Sequence, residues 1–264
     1  MYSALVFIPL LYAGIRYSPP SLFSLLIGAI ALFALWEFLS LYFSHTGSLS
    51  PKVLSCLAAG FLLIAMSEGL PDILLLVLLG IVTIIMAGFC LSPVDMKQQL
   101  PDWAAYIFGV LYVALLLGHY SLLRNLEQGV ALVFFVIIVT WLSDTGGFFI
   151  GKSLGKHPLA PTLSPKKTIE GLLGGVLFSV IGGIISHFTF VPFFSLDQCM
   201  ILGGGIALLG AIGDLAESAI KRSVSVKDSG TIIPGHGGVL DRVDSLLFTG
   251  PAMYYYVMFS LPTS

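Results

Sequence analysis

Apolar stretches of near-membrane length recur from one end of this chain to the other, and no other feature limits its possible folds so strongly. A helix needs about 20 apolar residues to cross a bilayer, with about 17 as a practical minimum. Nine stretches approach that length: 3–17, 21–43, 52–67, 72–90, 103–119, 129–143, 170–190, 198–220 and 245–261. Several are short, so eight to ten spans fit the same pattern. Turn-like segments separate them: "YSPPS", "SHTGSLSPK", "SEGLPD", "SPVDMKQQLPD" and "FVPFFSLDQ". Of the 264 residues, 57% are hydrophobic and only 10% are charged, against about 25% charged in soluble domains. So few charges cannot cover a water-soluble fold of this size. The expectation is an all-α, polytopic integral membrane protein with about nine transmembrane helices. The opening "MYSALVFIPLLYAGIRY" has no basic segment ahead of its apolar run and no clear cleavage pattern after it. It therefore reads as a first membrane helix rather than a cleaved signal. Cys56, Cys90 and Cys199 each stand alone in apolar sequence and read as small core hydrophobes.

The two halves differ. Residues 1–128 read as a transmembrane scaffold, and 129–264 as a transmembrane catalytic region. Of the twelve Lys and Arg residues, eight lie between Lys152 and Arg242, in the stretches 144–169 and 221–244. Two spans separate those stretches, and an even number of crossings returns both to one membrane face. Counting from the N-terminus puts ten of the twelve basic residues on that face, leaving Arg16 and Arg124 on the other. The positive-inside rule makes the rich face cytoplasmic, and a polar cavity is expected there, in the inner membrane of the cell. If the lysines serve chemistry, their bias says less about orientation. A net charge of −2 gives no reason to expect a nucleic-acid partner.

Acidic residues stand where lipid should be. Asp144 closes the run "ALVFFVIIVTWLSD", and Asp214 and Glu217 follow "GGGIALLGAIG". Asp214, Glu217, Ser218 and Lys221 fall at i, i+3, i+4 and i+7, one face of a helix. Asp241 and Asp244 are i, i+3 at the start of the last span. A carboxylate at bilayer depth costs about 2.5–3.5 kcal/mol, so such groups usually line a watered cavity and bind something. A helix-end role, with acids complementing the dipole, is the plainer alternative for any one of them. Taken together, Asp144, Asp214 and Asp241 suggest a divalent cation, and Mg²⁺ takes one or two carboxylates plus waters and phosphates. The carboxylates exceed what one Mg²⁺ needs, which leaves room for a second cation nearby. Lys166 and Lys167, ahead of Thr168 as an N-cap, suit phosphate at a helix start. The glycines around His236 let backbone approach a ligand closely.

The string from Gly146 to Ser153 also satisfies the P-loop pattern G-x-x-x-x-G-K-[ST]. A P-loop joins a buried strand to a helix, whereas an apolar run of membrane length precedes Gly146. No strand–helix alternation follows, so the match is a coincidence of letters.

The run from Ser218 to Asp244, "SAIKRSVSVKDSGTIIPGHGGVLDRVD", resembles the signature S-x-x-K-R-x4-K-D-x5-P-G-H-G-G-x2-D-R-x-D of phosphatidate cytidylyltransferases, the CDP-diacylglycerol synthases. Every fixed position is met. The earlier "SDTGGFFIGKSLGKHPLAPTLSPKKTIEG" is similar to a second block of that family, and Gly213-Asp214 fits as well. The resemblance covers about residues 143–246. It implies that CTP and phosphatidic acid give CDP-diacylglycerol and pyrophosphate, with Mg²⁺ required. Within it, Asp214 and Asp241, with Asp144 next, are the expected metal ligands. Asp214, Asp241, Lys166, Lys221 and Arg222 are the expected catalytic residues. Lys167, Ser218, Lys227, Gly235, His236, Gly237, Gly238 and Arg242 are expected to bind substrate. A CTP-dependent lipid kinase, a cytidylyltransferase for another lipid, and an ion or anion transporter are the alternatives. No second copy of the K-R…P-G-H-G-G stretch supports the last. A homodimer is compatible with the sequence.

Overall fold

The computed structural model describes residues 2–43, 50–69, 71–91, 96–230 and 237–260. In chain order the elements are α1 (Tyr2–Arg16), α2 (Pro20–Tyr42), α3 (Ser50–Ser67), α4 (Pro71–Leu91) and α5 (Met96–Gly109). A π-helical turn, Val110–Leu115, joins α5 to α6 (Leu116–Asn125) without a break. Then come α7 (Gly129–Leu154), the strands β1 (Pro158–Ala160) and β2 (Ser164–Thr168), α8 (Ile169–Thr189), α9 (Leu196–Ser223) and α10 (Leu240–Ser260). Among the described residues, five helical runs are long and apolar enough to cross a bilayer: Pro20–Tyr42, Leu100–Asn125, Gly129–Leu154, Ile169–Thr189 and Leu196–Ser223. Lys52–Ser67 and Ile73–Gly88 are shorter apolar helices. The protein is thus a helical, multi-pass membrane protein, with, among the described residues, a short antiparallel hairpin that the apolar pattern did not announce.

Helix boundaries follow local chemistry. Thr168 caps α8, its hydroxyl accepting from the Gly171 amide at 3.1 Å. Ser195 and Gln198 form a reciprocal capping box at the start of α9. The sixth apolar stretch was expected to end at Asp144, but α7 continues ten residues further, to Leu154. Gly146, Gly147 and Gly151 continue the helix because they let it lie close against α8. The P-loop-like letters from Gly146 to Ser153 therefore lie inside a helix, where amide groups are committed to helical hydrogen bonds.

The chain divides into two compact units. The first comprises Met1–Pro19, Leu126–Lys227 and Val243–Ser264, and the second Pro20–Asn125 and Asp228–Arg242. In the first unit α8 runs antiparallel between α7 and α9, and glycines set the approach. A side-chain carbon at Gly146 would come within 2.6 Å of the Gly174 carbonyl, and one at Gly203 within 2.8 Å of the Ser179 carbonyl. The Ser179 hydroxyl, fully buried, lies 2.7 Å from the Gly203 carbonyl and 3.1 Å from that of Val139, tying α8 to both neighbours. Lipid offers no hydrophobic drive between helices, so small residues and buried hydroxyls carry this packing. In the second unit α2, α3, the π turn and α6 surround buried Leu35, Leu39, Leu62, Met66 and Leu123. Phe43 stacks on Tyr106, with ring centroids 4.3 Å apart and 9° between planes.

Crowding at these glycines is testable. A carbon added at Gly174 would collide with Ile150, whereas one at Gly205 meets nothing within 4 Å. Gly174→Val should lower stability by about 1–3 kcal/mol, the usual penalty of overpacking. Gly205→Ala should leave it at or above the parent value. Thermal unfolding followed by size-exclusion in detergent reads both.

Candidate active site

In the first unit, α7, α9 and α10 meet around Gly210. A carbon placed there would lie 3.7 Å from Thr140 Cγ2 and 3.6 Å from Ser245 Cβ. Since α7 and α9 both run antiparallel to α8, they are parallel to each other. Four residues past Thr140 is Asp144, and four past Gly210 is Asp214, so each acid sits one turn further in the same direction. On α10, which runs the other way, the residue before Ser245 is Asp244. Gly213 brings α9 against α10 so closely that a side-chain carbon there would strike the Asp244 carbonyl. Three acids from three helices therefore share one level of the bundle. Asp214 acts electrostatically on Asp144 and on Asp244, and Asp144 acts on Asp244 as well.

The compensating cation comes from β2. Lys167 Nζ pairs with Asp214 Oδ2, with both side chains about a third exposed or less. Successive side chains on a strand point to opposite faces. Lys167, half-buried, faces Asp214, while its neighbour Lys166 is exposed. The hairpin that aims Lys167 is held at both ends. The Glu170 Oε2 accepts from the amides of Lys156 and His157 at 3.0 and 3.2 Å. Arg222 Nε donates to the Leu163 carbonyl at 3.3 Å and its Nη1 to the Val226 carbonyl at 3.2 Å.

Other predicted residues of this unit lie on the α9 face that the sequence indicated. Lys221 Nζ pairs with Glu217 Oε2 at 2.6 Å, and Glu217 is almost wholly buried. Ser218 Oγ approaches Asp214 Oδ1 at 3.5 Å, the outer limit of a hydrogen bond. Lys227 is exposed.

The second unit holds another polar centre. Asp241 Oδ2 accepts from the Ser229 amide at 3.0 Å, the Ser229 hydroxyl at 2.9 Å and the Gly238 amide at 2.7 Å. Gly237 has φ of +80°, which favours glycine, and a side-chain carbon there would lie 2.6 Å from Asp241 Oδ2. Arg242 is exposed. Gly235 and His236 lie outside the described residues. Beside this centre is a residue that sequence reasoning passed over. Glu37 of α2, only 3% exposed, accepts from the Leu240 amide at 2.8 Å and stands 3.4 Å from the Ser229 hydroxyl. Its signal was available: one carboxylate in the middle of the apolar run "GAIALFALWEFLSLY".

The acids of the first unit suit a hard divalent ion. Asp144, Asp214 and Asp244 supply oxygen donors, and with Lys167 the group keeps an acidic balance. Among the described residues, no three His, Cys, Asp or Glu side chains gather closely enough to hold a metal ion; Mg²⁺ is usually held by one or two carboxylates with waters and substrate phosphates.

The cytidylyltransferase family pattern matches residues 1–260. The phosphatidate cytidylyltransferase of Staphylococcus haemolyticus is 35% identical over 252 residues, which cover 94% of this chain and 93% of that protein. That of Staphylococcus saprophyticus is 34% identical over the same shares. The Bacillus subtilis phosphatidate cytidylyltransferase is 40% identical over 149 residues, 55% of this chain and 54% of the relative. A match along nearly the whole length, with acids, lysines and glycines placed as above, leads to one conclusion: the chain belongs to the cytidylyltransferase family.

Proposed function

We propose that this protein is a membrane-embedded phosphatidate cytidylyltransferase, transferring the cytidylyl group of CTP to phosphatidic acid to give CDP-diacylglycerol and pyrophosphate in phospholipid biosynthesis. The observation that carries the reading is that Asp144, Asp214 and Asp244 stand at one level of an otherwise apolar bundle, with Lys167 paired to Asp214. A phosphate oxygen of the lipid forms a bond to the α-phosphorus of CTP. The bond from that phosphorus to the oxygen bridging to the β-phosphate breaks, and its electron pair leaves with pyrophosphate. The attacking oxygen is already anionic, so no strong general base is needed. The barrier lies in bringing two polyanions together, and positioning with charge neutralisation lowers it.

The residues divide that work. Asp144 and Asp214 would hold Mg²⁺, with Asp244 beside them and room for a second cation. When bound, the ion offsets charge on the triphosphate and on the departing pyrophosphate. Lys167, kept in place by Asp214, offers a cation to a phosphate oxygen; Lys166, Lys221 and Arg222 would add theirs, with Ser218 as a donor. Lys227 and Arg242 would neutralise phosphate charge. Amides of Gly235, His236, Gly237 and Gly238 would approach the phosphates of CTP. Metal ligation was expected for Asp241 also; its three hydrogen bonds support a first role in holding Ser229 and Gly238.

We further propose nine membrane crossings, with the reacting groups in a polar cavity on the cytoplasmic side of the inner membrane, as a single chain or a homodimer. The concentration of basic residues in 144–169 and 221–244 supports that orientation. It lets CTP arrive from water while the acyl chains stay in lipid.

The reaction is read directly with radiolabelled CTP and purified protein in detergent. Label at the α-phosphate should enter the lipid product only when phosphatidic acid is present, and EDTA should abolish the transfer. Label entering from the γ-phosphate would indicate a kinase instead, and transfer independent of phosphatidic acid would overturn the assignment. Within the same assay, Asp214→Asn and Lys167→Ala should each reduce kcat by about 10²–10³-fold, as for loss of one preorganised electrostatic group. Lys166→Ala should cost less, because its side chain is exposed. Parent-like turnover by Asp214→Asn would count against the metal assignment.

A further inference from the structure

Glu37 has no place in the reaction as described, yet its surroundings are those of a constrained group. It sits on an apolar helix at 3% exposure. A carboxylate at such depth is costly unless its oxygens are engaged. One oxygen, Oε2, accepts from the Leu240 amide at 2.8 Å and lies 3.4 Å from the Ser229 hydroxyl. The other, Oε1, is buried without a hydrogen-bond partner among the described residues. Two glycines make room for the carboxylate. A side-chain carbon at Gly230 would stand 2.7 Å from Oε1, and one at Gly238 would press on both oxygens and on Ser229 Oγ. Ser229, Gly230, Gly238 and Leu240 all belong to the segment that also carries Asp241 and leads into α10. Ser229 links the two acids, since its hydroxyl is 2.9 Å from Asp241 Oδ2.

We propose that Glu37 is a positioning residue for substrate binding: from the N-terminal half of the chain it fixes Ser229 and Leu240, and so sets how Gly237, Gly238 and the first turn of α10, with Asp241 and Arg242, are presented to the phosphates of CTP. This rests on the function proposed above. The physical basis is that backbone at glycines such as Gly230, Gly237 and Gly238 has many conformations to lose, and one buried acceptor that engages both Ser229 and Leu240 removes some of them before the nucleotide arrives. Preorganisation of this kind acts on substrate affinity rather than on the chemical step. It asks only for an acceptor of the right length, so Gln serves where Asp and Ala do not.

The test compares Glu37→Gln, Glu37→Asp, Glu37→Ala and, as a purely structural control in the same helix, Leu35→Ala. In steady-state kinetics, Glu37→Ala and Glu37→Asp should raise KM for CTP about 10-fold or more, the loss of roughly one charged hydrogen bond. Their kcat should fall far less, Glu37→Gln should stay near the parent, and Leu35→Ala should lower thermal stability without moving KM. Gly230→Ala should also raise KM, and Glu37→Asp combined with it should recover part of the loss, because the shorter acid vacates the crowded position. An unchanged KM in Glu37→Ala, or an equal rise in Leu35→Ala, overturns the proposal. Hydrogen exchange of the 229–240 peptide reads the same contact without substrate. Amide protection at Leu240 should fall in Glu37→Asp and persist in Glu37→Gln, including where Glu37→Ala does not fold. Equal protection in both overturns the proposal even if the parent turns over CTP. Loss of protection alongside a parent inert towards CTP and phosphatidic acid would sink the proposed reaction and leave the contact standing.

Discussion

The Lys167–Asp214 ion pair is the interaction on which the first unit depends. Three carboxylates at one level of an apolar bundle repel one another and resist leaving water, and Lys167, paired with Asp214, lowers that cost. Each part of the local structure serves the pairing. The two-stranded hairpin turns Lys167 inward while Lys166 stays outside. Glu170 and Arg222 hold the hairpin by its backbone. Glycines at 146, 174, 203 and 213 bring the helices close together, so that acids on separate elements stand at one level. A surface ion pair contributes little, but one set among several acids tunes the charge of its surroundings. On the proposed function, the acidic balance left there would suit a divalent ion and the polyphosphate it accompanies.

The second unit solves a different problem, that of tying Ser229, Gly238 and Leu240 to buried acids. Asp241 accepts three hydrogen bonds through one oxygen, and Glu37 engages the same stretch from an apolar helix. Gly237 and Gly238 are there because a side chain would collide with one acid or both. The glycine signature therefore has two readings that agree. Small residues let backbone approach a ligand, and they let buried carboxylates approach the backbone. The N-terminal half is more than scaffold on this view, since α2 supplies one of those carboxylates.

Much of this was legible in the sequence for definite reasons. Apolar length located the helices, because bilayer thickness fixes what a span requires. Helical spacing placed Asp214, Ser218 and Lys221 on one face, and the N-cap at Thr168 followed from residue type. What the sequence hid was tertiary. Asp144 looked like a helix end because polar residues and glycines follow it, yet those glycines continue α7 by packing on α8. The choice between Lys166 and Lys167 depended on a strand of five residues, too short for its alternation to stand out. Glu37 lay far from the signature in sequence, and only the folded chain joins it to Leu240.

Binding of Mn²⁺, a paramagnetic substitute for Mg²⁺, tests the charged centre most directly. Electron paramagnetic resonance on the purified protein should show bound Mn²⁺ in the presence of CTP, displaced by excess Mg²⁺. In Asp214→Asn that binding should be weakened at least tenfold while the helical content is unchanged. Equal Mn²⁺ affinity in the parent and in Asp214→Asn would contradict the account.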